Sequence, residues 1–271
     1  MKTKERKNYK QIFLWTEMIK RGQITIFVLI ALVIVALAAL LYFLVPDIRV
    51  IFTGDIVPSN YLKGVLDEEI ENSVNKLSLQ GGYENPEGAI LYQGQNIKYL
   101  CYTSKYYEPC KVQQPLIKSR FEQELARMIQ SKAVEGAERM KEEYRSRGFT
   151  VTSAEEIDTG VLIVPEKIVV SINAPTTIEK EGRTQSFNEF EFELESKMYD
   201  LLMIATSIID YESTYGDSEI SFYTQYYPNL IIHKNKLGDG STIYKLRDVT
   251  GDDEFTFASR SLAWPGGYGT E

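Results

Sequence analysis

Apolar and polar positions follow three different rhythms along this 271-residue chain. The first is no rhythm at all: residues 24–45, ITIFVLIALVIVALAALLYFLV, run for 22 positions without a charge. As a helix this run reaches roughly 33 Å, enough to cross a hydrocarbon core of about 30 Å. A buried helix of a soluble protein is usually shorter and rarely apolar on every face. The second rhythm is helical. After a connector over 47–60, interrupted by Pro46, Gly54 and Pro58, the positions Leu62, Leu66, Ile70, Val74 and Leu77 recur at spacings of four and three. Ser59 or Asn60 can cap this helix and Gly81-Gly82 stops it. A longer helix is predicted over 115–147, with a stripe of Ile117, Phe121, Leu125, Met128, Ala133, Ala137, Met140 and Tyr144, ended by Gly148. Its dense Glu, Lys and Arg content reads as a solvated face. Residues 198–211, MYDLLMIATSIIDY, predict a third, well-buried helix.

The third rhythm has period two. FTVTSAEEI, VLIVPEKIVVSINAP, QSFNEFEFELE, PNLIIHKNKL, STIYKLRDV and EFTFASRSL are strand-like. Residues 88–112 predict a small hairpin turning at Gln93-Gly94-Gln95-Asn96, and Gly238-Asp239-Gly240 marks a tight turn between two further strands. The expected fold is α+β: an N-terminal transmembrane helix, then an ectodomain in which a largely antiparallel sheet packs against helices. The layout follows as a leader (1–22), the span (23–46), the connector (47–60), the α+β domain (61–264) and a flexible tail (265–271).

Charge orients this picture. The chain carries a net −8, yet residues 1–22 hold Lys2, Lys4, Arg6, Lys7, Lys10, Lys20 and Arg21 against Glu5 and Glu17, a net +5 that leaves −13 for the remainder. Basic flanks stay in the cytoplasm, so the lipid bilayer is the first partner and the C-terminal bulk faces outward. An acidic bulk without a basic stripe argues against nucleic acid. Residues 8–21 are either a short interfacial helix or an ordinary cytoplasmic leader. A cleaved secretory signal fits less well, because Tyr42-Phe43-Leu44-Val45-Pro46 follows where small residues belong.

Little in the chain announces chemistry. Cys101 and Cys110 are the only cysteines and flank YTSKYYEP on the outer side, where a local disulfide is expected; two reduced thiols in a sheet are the alternative. No phosphate-binding, dinucleotide, nucleophile-elbow or zincin motif occurs, no cofactor is implied, and His233 is the sole histidine, expected as an exposed strand residue. Glu189, Glu191, Glu193 and Glu195 alternate with Phe190, Phe192 and Leu194 and read as the solvent face of one strand. In the turn Gly251-Asp252-Asp253-Glu254 the three carboxylates are weak candidates for a cation, the plain alternative being an acidic turn. The 18 tyrosines, paired at Tyr106-Tyr107 and Tyr226-Tyr227, suit either a partner-binding surface or the sheet itself. No N-x-[ST] sequon is present.

The segment Lys20-Arg21-Gly22-Gln23-Ile24-Thr25-Ile26-Phe27 leading into the apolar run resembles the class III signal of archaeal type IV pilins and related surface proteins. With LSLQGGY at 77–83 and EFTFASR at 254–260, the whole chain resembles a group of membrane-anchored surface proteins of small-genome archaea. The resemblance implies cleavage between Gly22 and Gln23 and a helix that anchors the protein or builds a filament core. Phe27 stands where typical pilins carry an acidic residue that neutralises a neighbour's new amino terminus. The expected function is a non-enzymatic cell-surface protein with a pilin-like anchor and a partner in the cell envelope, able to oligomerise through its membrane helix. The alternatives are a subunit of a pilus-like or secretion-type filament and an outward-facing hydrolase.

Overall fold

The computed structural model describes residues 28–37, 57–154 and 156–263. The chain separates into two units, Met1–Val57 and Pro58–Glu271. In the first, residues 28–37 form a helical stretch whose ten side chains are all exposed. The leader, the Gly22-Gln23 pair, Phe27, the rest of the apolar run and all of the connector but its last few residues lie outside the described residues, as does the tail. No helix among the described residues is long and apolar enough to cross a membrane; ten residues rise only about 15 Å.

The second unit is α+β. Its first helix, α1 (Pro58–Leu79), begins three residues before the predicted start. Proline lacks only an N–H that a first helical turn leaves unpaired, so Pro58 opens this helix where a break was expected. Leu62, Leu66, Ile70 and Leu77 are fully buried, while Ser73 takes the inward position assigned to Val74. Gly82 N–H closes the end on the Leu77 carbonyl at 2.8 Å, with Gly81 at φ +70°. α2 (Ile117–Ser146) follows its predicted stripe, except that Ile129 rather than Met128 turns inward. Its charged residues are not all solvated: Glu124 and Lys141 are buried, Glu124 held by Arg127 and by Arg120 at 3.2 Å, Lys141 by Glu138 at 2.6 Å. α1 and α2 pack together. At Gly136 an added Cβ would come within 3.2 Å of Val65 Cγ1, so glycine permits this close approach.

The strands form two sheets where one was expected. The four-stranded sheet is built on β6 (Lys167–Lys180), which pairs with β7 (Arg183–Glu195) on one side and with β4 (Thr150–Ser153) and β5 (Asp158–Val164) on the other, all antiparallel. VLIVPEKIVVSINAP, read as one strand, is two: the chain turns at Pro165-Glu166, because proline cannot donate to an interior ladder. β6 and β7 turn through Glu181-Gly182, both at positive φ as a two-residue hairpin requires. The six-stranded sheet runs β1 (Ala89–Tyr92), β2 (Gln95–Tyr102), β10 (Glu254–Arg260), β9 (Thr242–Asp248), β8 (Leu230–Lys236), with β3 (Lys111–Val112) beside β2. The β1–β2 hairpin turns at Gln93-Gly94 as predicted, and β2–β10 is the one parallel pair.

Between them, α3 (Met198–Tyr215) extends four residues past its predicted end, and a single short turn of helix, α4 (Ser221–Tyr226), follows. α1, α2 and α3 each touch both sheets: α1 reaches β7 and β10, α3 reaches β5, β6, β9 and β10, and α2 lies on β5 while its Phe121 ring meets Phe255 of β10 at 6.4 Å. The helices are therefore a shared core layer, and only α3 is apolar over most of its length.

Cys101 in β2 and Cys110 just before β3 are disulfide-bonded, Cα–Cα 5.4 Å, and both are buried. The bond closes the loop that carries Tyr106 and Tyr107 against the edge of the sheet. Replacing both cysteines by serine is expected to lower the unfolding free energy by about 2.5–3 kcal/mol, read from denaturant midpoints at unchanged slope. An unchanged midpoint would mean that the bridge does not constrain the unfolded chain.

Candidate functional site

β10 presents a different polar arrangement on each face. Toward the helices it turns Phe255, Phe257 and Ser259, paired across β9 with Leu246, Tyr244 and Thr242. Glu212 of α3 is pressed against this face, 1% exposed. Its carboxylate accepts hydrogen bonds from the Tyr244 and Ser259 hydroxyls, and its carbonyl accepts from Gly216 N–H at 3.0 Å and Ser261 Oγ at 3.2 Å. Burial pushes the Glu212 carboxyl above the ordinary 4.5, against the two hydroxyl bonds and the Lys234 ammonium, which favour its charge. The Tyr244 hydroxyl is pushed up as well, by burial and then by Glu212. Lys234 itself is held by Asp217 at 2.5 Å and the Ser218 carbonyl at 2.5 Å. Ser259 Oγ lies 3.7 Å from Cys110 Sγ, so the cluster adjoins the disulfide. A group this enclosed meets no substrate; it pins α3 to the sheet.

The other face of the same sheet carries no such cover and folds over itself. β1 and β8 are the outermost strands of the path, yet Asn235 Nδ2 of β8 donates to Tyr92 Oη of β1 at 2.9 Å. That bond requires the sheet to curl until its ends meet. Under the curl Ile97, Ile243 and Ala258 are buried, flanked by Ile90, Tyr92, Tyr99 and Leu237. Beside this cluster a cavity of about 250 Å³ remains. Cross-strand register explains its lining: His233, Lys245 and Thr256 form one row over β8, β9 and β10, and Asn235, Ile243 and Ala258 form the next. Leu79, from the end of α1, borders it too. Lys245 is paired with Glu254 at 2.6 Å. Thr256 is 6% exposed, and its hydroxyl has no hydrogen-bond partner among the described residues. An unsatisfied buried hydroxyl costs roughly 1–3 kcal/mol.

The residues marked in the sequence fall in several places. His233 is an exposed strand residue, as expected, and also borders the cavity. Glu189, Glu191, Glu193 and Glu195 are exposed on β7, with Phe190 and Phe192 buried between them. The acidic turn does not gather round a cation: Asp253 Oδ2 accepts the Lys197 N–H at 2.6 Å at the start of α3, Glu254 turns to Lys245, and Asp252 stays exposed. Among the described residues no three His, Cys, Asp or Glu side chains are grouped to hold a metal. Tyr106, Tyr107, Tyr226 and Tyr227 are all exposed. Tyr106 and Tyr107 also border a cleft of about 330 Å³ with Asp217 and Lys236.

Sequence reasoning missed Glu212, although it left a signal. Met198, Leu202, Ala205 and Ile209 mark the buried register of α3, and the next position in that register is Glu212. The cavity left no comparable signal, because period two assigns residues to a face and not to a hollow. Comparison of the chain with family models, with curated proteins and with solved structures finds no match.

A carboxyl whose pKa is raised on folding favours the folded state at low pH, and that contribution is lost as pH rises from the unfolded value through the folded one. Glu212→Gln keeps the shape and removes the titration. Unfolding free energies measured at about pH 5 and about pH 8 should show the variant gaining on the parent as pH rises. A stability difference that stays constant, or that moves in the parent's favour as pH rises, would refute the raised pKa.

Proposed function

We propose that this chain is a single-pass, membrane-anchored cell-surface protein whose folded unit is a non-enzymatic binding module. The observation that carries the reading is the helical stretch 28–37, in which Val28, Leu29, Ile30, Leu32, Val33, Ile34, Val35 and Leu37 are 51–65% exposed. Apolar surface on every side of a helix favours an apolar surrounding. The stretch lies inside the charge-free run 24–45, and the basic leader assigns its N-terminal flank to the cytoplasm. The disulfide supports an oxidising location for the folded unit. Within that unit, the curled sheet offers a preformed hollow lined by aliphatic side chains and a few polar ones, the usual form of a small-ligand site.

The same all-round apolar helix also suits the core of a helical filament, which keeps the filament reading as the alternative. Phe27 counts against the usual assembly route, since it leaves no carboxylate for a neighbour's amino terminus.

On carbonate washing of cells that make the protein, it should stay with the membrane pellet, and a C-terminal tag should be digested by protease added to intact cells. Recovery in the wash, or a protected tag, would remove the assignment. N-terminal sequencing of extracted protein should begin at Gln23 if the anchor is processed as a pilin's is; a start at Met1 would retain the anchor and reject the processing. Electron microscopy of cells lacking the protein should show unchanged fibres, and fibres lost with it would turn the reading to the filament.

A further inference from the structure

The cavity under the curl of the six-stranded sheet restricts the chemistry of its occupant. Its volume, about 250 Å³, lies below the range of sites for drug-sized ligands, so it suits one small ring rather than a nucleotide or a peptide. Its floor is aliphatic, from Leu79, Ile97 and Ile243. The polar part of the lining is mostly uncharged: the Tyr92 hydroxyl and the amides of Gln93, Gln95 and Asn235.

These groups are already partly committed, and what is left over is informative. Tyr92 Oη accepts from Asn235 Nδ2 at 2.9 Å and from Gln93 Nε2 at 3.4 Å, which leaves its own O–H to donate. Asn235, having spent an N–H on Tyr92, keeps its carbonyl as an acceptor. Among the described residues Lys245 is the only ammonium in the lining, Glu254 neutralises it at 2.6 Å, and no carboxylate lines the cavity. The remaining demand is for a neutral group that both donates and accepts beside an aliphatic surface. A bare hydrocarbon would leave the Tyr92 hydroxyl and the amides without a partner, and an anion would have to displace Glu254 in a chain of net −8.

We infer that this cavity binds a single neutral sugar ring, a hexose unit of a glycan, with the ring's C–H face on Leu79, Ile97 and Ile243 and its hydroxyls on Tyr92 and Asn235. Hydroxyl groups match the mixed donor and acceptor lining, and a pyranose presents both a polar rim and an apolar face. The inference rests on the reading of the folded unit as a binding module and names the ligand class for it.

His233 makes the test direct. It borders the cavity and is the only histidine in the chain, so its imidazole C–H resonances report occupancy of this site without assignment of any other. The untagged full-length protein, held in a detergent without sugar headgroups and carrying ring-labelled histidine, is titrated with the methyl glycosides of glucose, galactose and mannose. Glucuronate and inorganic phosphate serve as anionic controls. At least one neutral glycoside should shift the resonances saturably at about millimolar concentration, with both anions at least tenfold weaker. Tyr92→Phe, which keeps the ring and removes the donating hydroxyl, should weaken that binding by about tenfold. Asn235→Ala, on an exposed edge strand, should weaken it too. No saturable shift with any neutral glycoside, an equal response to glucuronate or phosphate, or unchanged affinity in the folded variants would each overturn the inference. Because His233 reports in any compartment, these results stand apart from the carbonate and protease tests of membrane anchoring.

Discussion

The pairing of β2 with β10 is the constraint on which the rest of this domain depends. It is the only parallel contact in either sheet, aligning Ala258 with Tyr99 and Ser259 with Cys101 across a long intervening stretch of chain. Parallel neighbours need a crossover, and here the crossover contains α2, the whole four-stranded sheet and α3. β10 thereby becomes a central strand instead of a terminal one. With it in place, Phe255 and Phe257 enter the helical layer, Ser259 reaches both Glu212 and the disulfide, and Thr256 is carried beneath the curl.

Alternation along β10 then separates two polar groups by face, and their fates differ. Glu212 and its hydroxyl partners form a closed set that excludes water and uses the carboxylate's acceptors on the protein itself. Such a set restrains the angle between α3 and the sheet, because any shift leaves a buried acceptor unpaired. Thr256, one strand position removed from Phe255 and Phe257, has its hydroxyl buried and unpaired beside a hollow. The satisfied group binds α3 to the sheet, whereas the unsatisfied hydroxyl is a local cost of packing Thr256 under the curl.

The helical stretch 28–37 and the folded unit obey opposite rules. In the folded unit, large apolar side chains such as Leu62, Leu66, Phe121 and Leu125 are fully buried. In residues 28–37 the same kinds of side chain are all exposed. That contrast, more than any motif, separates a segment suited to an apolar medium from a domain that makes its own core.

The apolar run, the basic leader, the three long helices, most strands and the disulfide pair were legible in the sequence, because each depends on local periodicity, on charge flanking or on short separation along the chain. Even the buried Glu212 could have been found, as the polar member of an apolar helical register. Tertiary structure alone decided that the strands divide into two sheets with the helices between them, that Pro58 opens a helix, that Asp253 and Glu254 of the acidic turn go to Lys197 and Lys245, and that Tyr92 meets Asn235 across a hollow. Period and propensity say which way a side chain faces, whereas partners and hollows depend on which elements the fold brings together, as with Tyr92 and Asn235, 143 positions apart, and no local pattern encodes that.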